Sequence, residues 1–85
     1  MKKFDYVIKD DLGIHARPAG LLVKEAGQFN STIMIQKGDK TADAKRLFAL
    51  MGLGVKNADS ITVTVEGEDE ETAFDTIKQF IEANL

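Results

Sequence analysis

Hydrophobic and polar residues alternate in four short stretches of the chain, and a period of two residues is typical of β-strands with one buried face. The stretches are residues 4–8, 31–36, 41–44 and 61–66. The last is the most regular, and Ile61, Val63 and Val65 are predicted to point inward. Residues 37–40, KGDK, predict a tight turn between the second and third strands.

Two further segments, residues 16–27 and residues 70–83, carry apolar residues at helical spacing. The residues predicted to face the core are Ala19, Leu22, Val23, Ala26 and Phe29 in the first, and Ala73, Phe74, Ile77, Phe80 and Ile81 in the second. Pro18 falls in the first turn of its helix, where its missing N–H costs nothing. The acidic first turn of the last helix suits the positive end of the helix dipole.

Residues 45–54, KRLFALMGLG, predict a short helix that is apolar on two sides. Ala49, Leu50 and Leu53 fall on one arc, whereas Leu47, Phe48 and Met51 fall on the opposite arc. A short surface helix can bury only one arc against its own sheet. The second arc is therefore expected to lie at the surface.

The elements follow one another as β-α-β-β-α-β-α within a single predicted domain of residues 1–85. The crossover helix makes the first two strands parallel, with a right-handed connection. We therefore expect an α+β fold, in which helices pack on one face of an antiparallel or mixed four-stranded sheet.

Composition and charge exclude several classes of function. The chain has 44% hydrophobic and 29% charged residues, as ordinary globular proteins do, and its net charge of −3 argues against general binding of nucleic acid or anionic membranes. It has no cysteine, so disulfides, thiol catalysis and thiolate metal sites are excluded. We expect no signal peptide, no membrane insertion and a cytoplasmic location.

The segment GIHARPAG, residues 13–20, holds the only histidine and the only proline of the chain. His15 precedes a helix whose first amides, those of Ala16 and Arg17, have no partner inside the helix and attract anions. Arg17 adds a planar cation suited to phosphate oxygens, and neutral imidazole is a nucleophile. The segment can therefore accept a phosphoryl group on His15, although a histidine that only caps the helix, beside a solvated Arg17, explains the spacing as well.

Residues Gly20, Leu21 and Lys24 share with Arg17 the arc of the first helix that faces away from the core. Together with the exposed arc of the second helix they predict an apolar surface rimmed by Lys24, Lys45 and Arg46, as protein-docking faces have. The alternative is an overpacked core with scattered exposed side chains.

The chain resembles the HPr family, the histidine-containing phosphocarriers of the bacterial sugar phosphotransferase system. The resemblance covers nearly the whole length and rests on LGIHARPAG around His15, AKRLFALMGLGV (44–55) and ITVTVEGEDEETA (61–73). The first of these fits the family signature G-[LIM]-H-x-R-P-A. The resemblance to this family implies an open-faced β-sandwich, with four antiparallel strands in the order 1-4-2-3 and three helices on one face.

The resemblance also implies a function and a set of site residues. Phosphorylated enzyme I would pass its phosphoryl group to Nδ1 of His15, and the carrier would pass it to a histidine of a sugar-specific enzyme IIA. Arg17 would be the phosphate partner, and the amides of Ala16 and Arg17 would bind the anion. The predicted partner-binding residues are Leu12, Pro18, Gly20, Leu21, Lys24, Lys45, Arg46, Leu47, Phe48, Met51 and Gly52. The protein would be a monomeric carrier rather than an enzyme, with no cofactor and no metal.

Two residues depart from the pattern of the family. Arg46 stands where many HPr proteins of Gram-positive bacteria have a serine that a dedicated kinase phosphorylates, and it also lacks the acceptor of a serine N-cap. Asp43 could cap the second helix instead if that helix begins early. Leu12 replaces a small polar residue and is similar to the phosphocarriers of the nitrogen-linked branch, whereas Leu47 and Phe48 are typical of the sugar branch.

Three alternatives remain beside the sugar-branch carrier. They are a nitrogen-branch phosphocarrier, a regulatory binding protein of the same fold, and a small RNA-binding module. Regulatory relatives commonly replace the histidine that this chain retains. The RNA-binding alternative is the weakest, because the strands lack a cluster of aromatic residues on which bases could stack.

Overall fold

The computed structural model describes residues 1–85 and contains four strands and three helices. Each element coincides with a segment that the hydrophobic pattern predicted, and the order β-α-β-β-α-β-α is confirmed. In chain order the elements are β1 (Lys2–Val7), α1 (Ala16–Ala26), β2 (Thr32–Lys37), β3 (Lys40–Asp43), α2 (Leu47–Gly52), β4 (Ser60–Glu66) and α3 (Glu70–Asn84).

The four strands form one sheet in the order β1-β4-β2-β3, and every neighbouring pair is antiparallel. Because β4 lies between them, β1 and β2 run parallel to each other, as the crossover helix predicted. Val63 of β4 is opposite Phe4 of β1 on one side and Ile35 of β2 on the other, so all three belong to the same face. The strand order implied by the family resemblance is confirmed.

Alternate residues of the strands form the core against the helices, while the other face of the sheet carries polar side chains such as Thr62 and Asp5, which hydrogen-bond each other. The predicted core faces of β4, α1 and α3 are confirmed, although Val23, Phe29, Phe74 and Phe80 are only half-buried against the core. The fully buried residues are Ile61, Val63 and Val65 in β4, Ala19, Leu22 and Ala26 in α1, and Ala73, Ile77 and Ile81 in α3.

The boundaries of the elements differ from the prediction by at most two residues. Strand β1 begins at Lys2 rather than at residue 4 and ends before Ile8, although the Ile8 amide still bonds the Asp59 carbonyl at 2.9 Å. Strand β3 runs from Lys40 to Asp43, because the turn needs only two residues, with φ +60° at Gly38. Helix α2 spans only Leu47–Gly52, which is shorter than the predicted segment.

Asp43 does not cap α2, because the helix begins later than the capping hypothesis requires. The Asp43 carboxylate accepts a hydrogen bond from the amide of Lys45 at 2.9 Å and so closes a turn before the helix. The N-cap position belongs to Arg46, whose extended backbone (φ −123°, ψ 109°) is followed by no side-chain capping bond. The helix start is therefore uncapped, as the arginine predicted.

A buried serine joins the start of β2 to the start of α3. The hydroxyl of Ser31, the only buried polar side chain, donates to the carboxylate of Asp69, which also accepts from the backbone amides of Asn30 and Ser31 at 2.9 Å each. The hydroxyl bond, followed by the Asn30 amide, holds the pKa of Asp69 below its ordinary value of 3.8. The ionised carboxylate is thus the form that the fold favours.

Candidate functional site

The loop before α1 is tied down by backbone contacts that fix where the histidine emerges. Gly13, with φ +68°, packs against the loop between α2 and β4, and a Cβ atom there would stand 2.2 Å from the carbonyl oxygen of Val55. The amide of Ile14 bonds the same oxygen at 3.2 Å. Only glycine fits this crossing of two backbones, so the glycine before the histidine is a structural requirement.

The supporting loop beneath Gly13 is itself anchored by Asp59. The Asp59 carboxylate accepts from the Lys56 amide at 2.8 Å and pairs with the Lys37 ammonium at 2.9 Å. The hydrogen bond from Lys37, then that from Lys56, lower the pKa of Asp59. Lys37 also donates to the Gly54 carbonyl at 2.8 Å, so the hairpin of β2 and β3 steadies the loop that contacts Gly13.

His15 occupies the N-cap position of α1, with an extended backbone (φ −103°, ψ −177°) and no side-chain capping bond. Its carbonyl accepts from the Ala19 amide at 3.0 Å, which starts the helix. The amides of Ala16 and Arg17 make no hydrogen bond within the chain, as predicted for the first turn. The hypothesis that His15 merely caps the helix is therefore wrong, because its imidazole bonds none of these amides.

The imidazole of His15 borders a shallow, open depression of about 260 Å³. The lining residues come from the loop, from the first two turns of α1 and from the end of α3; they are Asp10, His15, Arg17, Pro18, Leu21, Ala83 and Asn84. The guanidinium of Arg17 is exposed and makes no ion pair. His15 and Arg17 thus border one opening next to a helix start with unpaired amides, an arrangement that suits an anion such as phosphate.

Asp10, Ala83 and Asn84 were not predicted as site residues. Asp10 lies five positions before the histidine, so its carboxylate is visible in the sequence although nothing local marks its approach to the imidazole. Its Oδ1 atom stands 3.7 Å from Nε2 of His15. The two α3 residues reach the depression because the helix ends beside the loop, where the Asp10 amide bonds the Leu85 carbonyl at 2.8 Å. No local sequence signal marks such a tertiary contact.

Most of the exposed large hydrophobic side chains belong to the predicted docking residues. Leu12 is 70% exposed, Leu21 42%, Phe48 83% and Met51 40%. We call these four residues the apolar surface. The overpacked-core alternative is wrong for α2, since Leu50 of its other arc is fully buried while Phe48 faces solvent. Helices α1 and α2, which carry Leu21, Phe48 and Met51, are in contact.

Three of the predicted docking residues are less available than expected. Leu47 is half-buried and packs against the core, and Pro18 is buried, although it lines the depression. Lys45 is no free cation of the rim, because its ammonium donates to the Phe29 carbonyl at 2.7 Å.

The remaining predicted docking residues are accessible. Lys24 and Arg46 are exposed and make no ion pair, so with Arg17 they leave three free cations around the apolar surface. Gly20 and Gly52 are exposed with open space around them, so backbone is accessible on both helices. No three histidine or acidic side chains converge as a metal site needs.

Comparison of the chain with known proteins identifies its family. A family model described as the phosphorylation site of the PTS HPr component matches residues 2–83. The chain belongs to the HPr family. It is 44% identical over 85 residues to the phosphocarrier protein HPr of Mycoplasma genitalium, a match that covers 99% of this chain and 97% of that protein. The resemblance found in the sequence is thereby confirmed.

Two further HPr relatives bear on the fold and on the alternatives. The solved histidine-containing phosphocarrier protein of Mycoplasma superposes with a TM-score of 0.93 at 36% identity, over 96% of this chain and 93% of that one. The HPr-like protein Crh of Halalkalibacterium halodurans is 41% identical over 75 residues, which are 88% of this chain and 89% of that protein. No helix of this HPr-family chain has the length and apolar character needed to cross a bilayer.

Proposed function

We propose that the whole chain, residues 1–85, acts as a phosphocarrier that accepts a phosphoryl group on His15 and then gives it up to a second protein. The observation that carries the proposal is that His15 and Arg17 border one opening, with the unbonded amides of Ala16 and Arg17 beside them at the start of α1 and no ion pair on the Arg17 guanidinium. These groups supply a nucleophile and the donors that hold three phosphate oxygens.

The shape of the site favours a carrier over an enzyme. The depression is small, at about 260 Å³, and partly open, whereas enzyme pockets that enclose a substrate are larger and exclude water. The partly exposed imidazole of His15 can instead enter the active sites of partner proteins. Transfer from one histidine to another exchanges similar P–N bonds, so alignment of the reacting atoms contributes more than chemical activation.

The partners we propose are phosphorylated enzyme I as donor and the sugar-specific enzyme IIA proteins as acceptors. The apolar surface, with Arg17, Lys24 and Arg46 around it, fits partner faces that are apolar at the centre and acidic at the edge. The carrier would act as a cytoplasmic monomer and would use the same surface for each partner in turn. A role as a regulatory binding protein of the same fold is less well supported, because the chain has both His15 and Arg17.

The experiment is phosphorylation by enzyme I and phosphoenolpyruvate, followed by intact-mass measurement. We expect one added phosphoryl group that acid removes, and no addition to the His15→Ala variant, since the chain has only one histidine. Arg17→Ala should be charged about 10- to 100-fold more slowly, which corresponds to the loss of a charged hydrogen bond. Equal labelling of wild type and His15→Ala would refute the proposal.

The branch of the system is tested by discharge of the phosphorylated carrier. We expect the phosphoryl group to pass to sugar-specific enzyme IIA domains and more slowly to a nitrogen-branch acceptor. The reverse preference would assign the chain to the nitrogen branch. Titration of 15N-labelled carrier with unphosphorylated enzyme I should shift the amides of Leu21, Lys24 and Phe48, and a footprint elsewhere would contradict the docking surface.

A further inference from the structure

One carboxylate faces the imidazole of the proposed phosphoryl acceptor. Oδ1 of Asp10 lies 3.7 Å from Nε2 of His15, and the two side chains are 28% and 34% exposed. The imidazole makes no hydrogen bond within the chain, and Asp10 carries the only carboxylate that lies within 4 Å of it.

The backbone holds Asp10 in this position. Its Oδ1 accepts from the amide of Leu12 at 2.8 Å, its amide donates to the carbonyl of Leu85 at 2.8 Å, and its carbonyl accepts from the amide of Gly13 at 3.1 Å. The carboxylate is therefore fixed relative to the start of α1. The adjacent Asp11 is exposed and makes no such contacts, so it serves as a natural control of equal charge.

A carboxylate can only accept hydrogen bonds, and the nitrogen of an imidazole that faces an acceptor is the one that carries the proton. A shift of less than about 1 Å brings Nε2 and Oδ1 into hydrogen-bonding distance. We propose that Asp10 is a positioning residue that keeps the proton of His15 on Nε2 and so presents the unprotonated Nδ1 as the phosphoryl acceptor. The role given to Nδ1 in this inference rests on the proposed function, whereas the effect of Asp10 on the tautomer of His15 can be tested without it.

The transfer step then needs no proton movement on the carrier. The Nδ1 lone pair forms a bond to phosphorus while the P–N bond of the donor histidine breaks, and that electron pair returns to the donor nitrogen. The Nε2 proton remains, so the phosphorylated ring carries a positive charge opposite the Asp10 carboxylate. In the second transfer the Nδ1–P bond breaks, its electron pair returns to Nδ1, and the ring is neutral again with its proton still on Nε2.

The test is long-range 1H–15N spectroscopy of the unphosphorylated protein, above the pH range in which histidine ordinarily protonates. We expect Nε2 to show the shift of a protonated nitrogen and Nδ1 that of an unprotonated one. Asp10→Ala should move both shifts toward the tautomer mixture of a histidine peptide, whereas Asp10→Asn should keep them, because its amide oxygen still accepts. Shifts unchanged in Asp10→Ala, or changed as much in Asp11→Ala, would overturn the inference.

Charging by enzyme I provides the second arm. Asp10→Ala should accept phosphoryl groups about tenfold more slowly, the scale seen for hydrogen-bond partners that orient functional histidines, and Asp10→Asn should recover part of that rate. Asp11→Ala should charge at the wild-type rate, and a loss equal to that of Asp10→Ala would contradict the positioning role. If no variant and not even wild type is charged, the proposed function fails, whereas the tautomer spectra still decide the role of Asp10.

Discussion

Gly13→Ala is the substitution that best tests how the loop before α1 is built. Gly13 has φ +68°, and an added Cβ would lie 2.2 Å from the carbonyl oxygen of Val55 and 2.7 Å from Cα of Lys56. Both of these atoms belong to the backbone, so no rotation of a side chain can relieve the overlap. The two loops would have to move apart.

The expected cost has two parts. A left-handed conformation costs a residue with a Cβ about 1–2 kcal/mol, and overpacking of a tight contact costs about 1–3 kcal/mol more. The sum, about 2–5 kcal/mol, is a large part of the stability of a small domain. Gly38→Ala is the matched control, because Gly38 has φ +60° but nothing lies within 4 Å of its added Cβ. It should show only the first part.

The assay is urea unfolding of wild type and both variants, with the free energy of unfolding extrapolated to water. Gly13→Ala should be less stable than Gly38→Ala by about 1–3 kcal/mol, which is the overpacking part alone. The gain from restricting the unfolded chain is similar in both variants and cancels in the comparison. If Gly13→Ala is destabilised no more than Gly38→Ala, the close crossing of the two loops does not exist as described.

Three further predictions concern the rest of the molecule. The fold lowers the pKa of Asp69, so the stabilisation by its carboxylate is present above the ordinary pKa of 3.8 and is lost as pH falls through the folded-state pKa. The melting temperature of Asp69→Asn should therefore fall less in acid than that of wild type. Phe48→Ala should change the free energy of unfolding by less than about 0.5 kcal/mol but should slow charging by enzyme I. Leu50→Ala, two positions along α2, should lower the free energy of unfolding in urea by about 2–5 kcal/mol. Arg46→Ser should stabilise the protein by about 0.5–1 kcal/mol in the same assay, since it supplies α2 with an N-cap acceptor.

Each of these predictions can fail on its own. An acid melting profile of Asp69→Asn that matches wild type would remove Asp69 from the account of stability. A Phe48→Ala variant that charges normally would separate the apolar surface from partner docking. An Arg46→Ser variant with unchanged stability would mean that α2 does not use a side-chain cap at that position.

The elements could be predicted from the sequence because each one has a hydrophobic period of its own. The strict alternation of Ile61, Val63 and Val65 indicated a half-buried strand, and the two opposed arcs of α2 indicated that Phe48 would be exposed while Leu50 was buried. The element ends were less well defined, because strands continue as far as a partner is available. Strand β1 begins at Lys2 since Val65 of β4 is there to pair with it.

The functional residues could be predicted only where the information is local. The order of His15, Ala16 and Arg17 predicted free amides at a helix start, and the structure places them so. Two other contacts join residues that meet only in the folded chain. They are the hydrogen bond from Lys45 to the Phe29 carbonyl and the approach of Asp10 to His15. A sequence read residue by residue contains no measure of such distances.

The place of β4 in the sheet has a consequence for synthesis of the protein. Strand β1 pairs only with β4, whose residues lie more than 50 positions further along the chain. On the ribosome, the first strand must therefore wait for most of the polypeptide to emerge, while the β2–β3 hairpin can close early. A nascent chain stalled before residue 60 already contains His15 but lacks β4, the strand that joins β1 to β2. The site around His15 is therefore expected to form only after β4 has been synthesised.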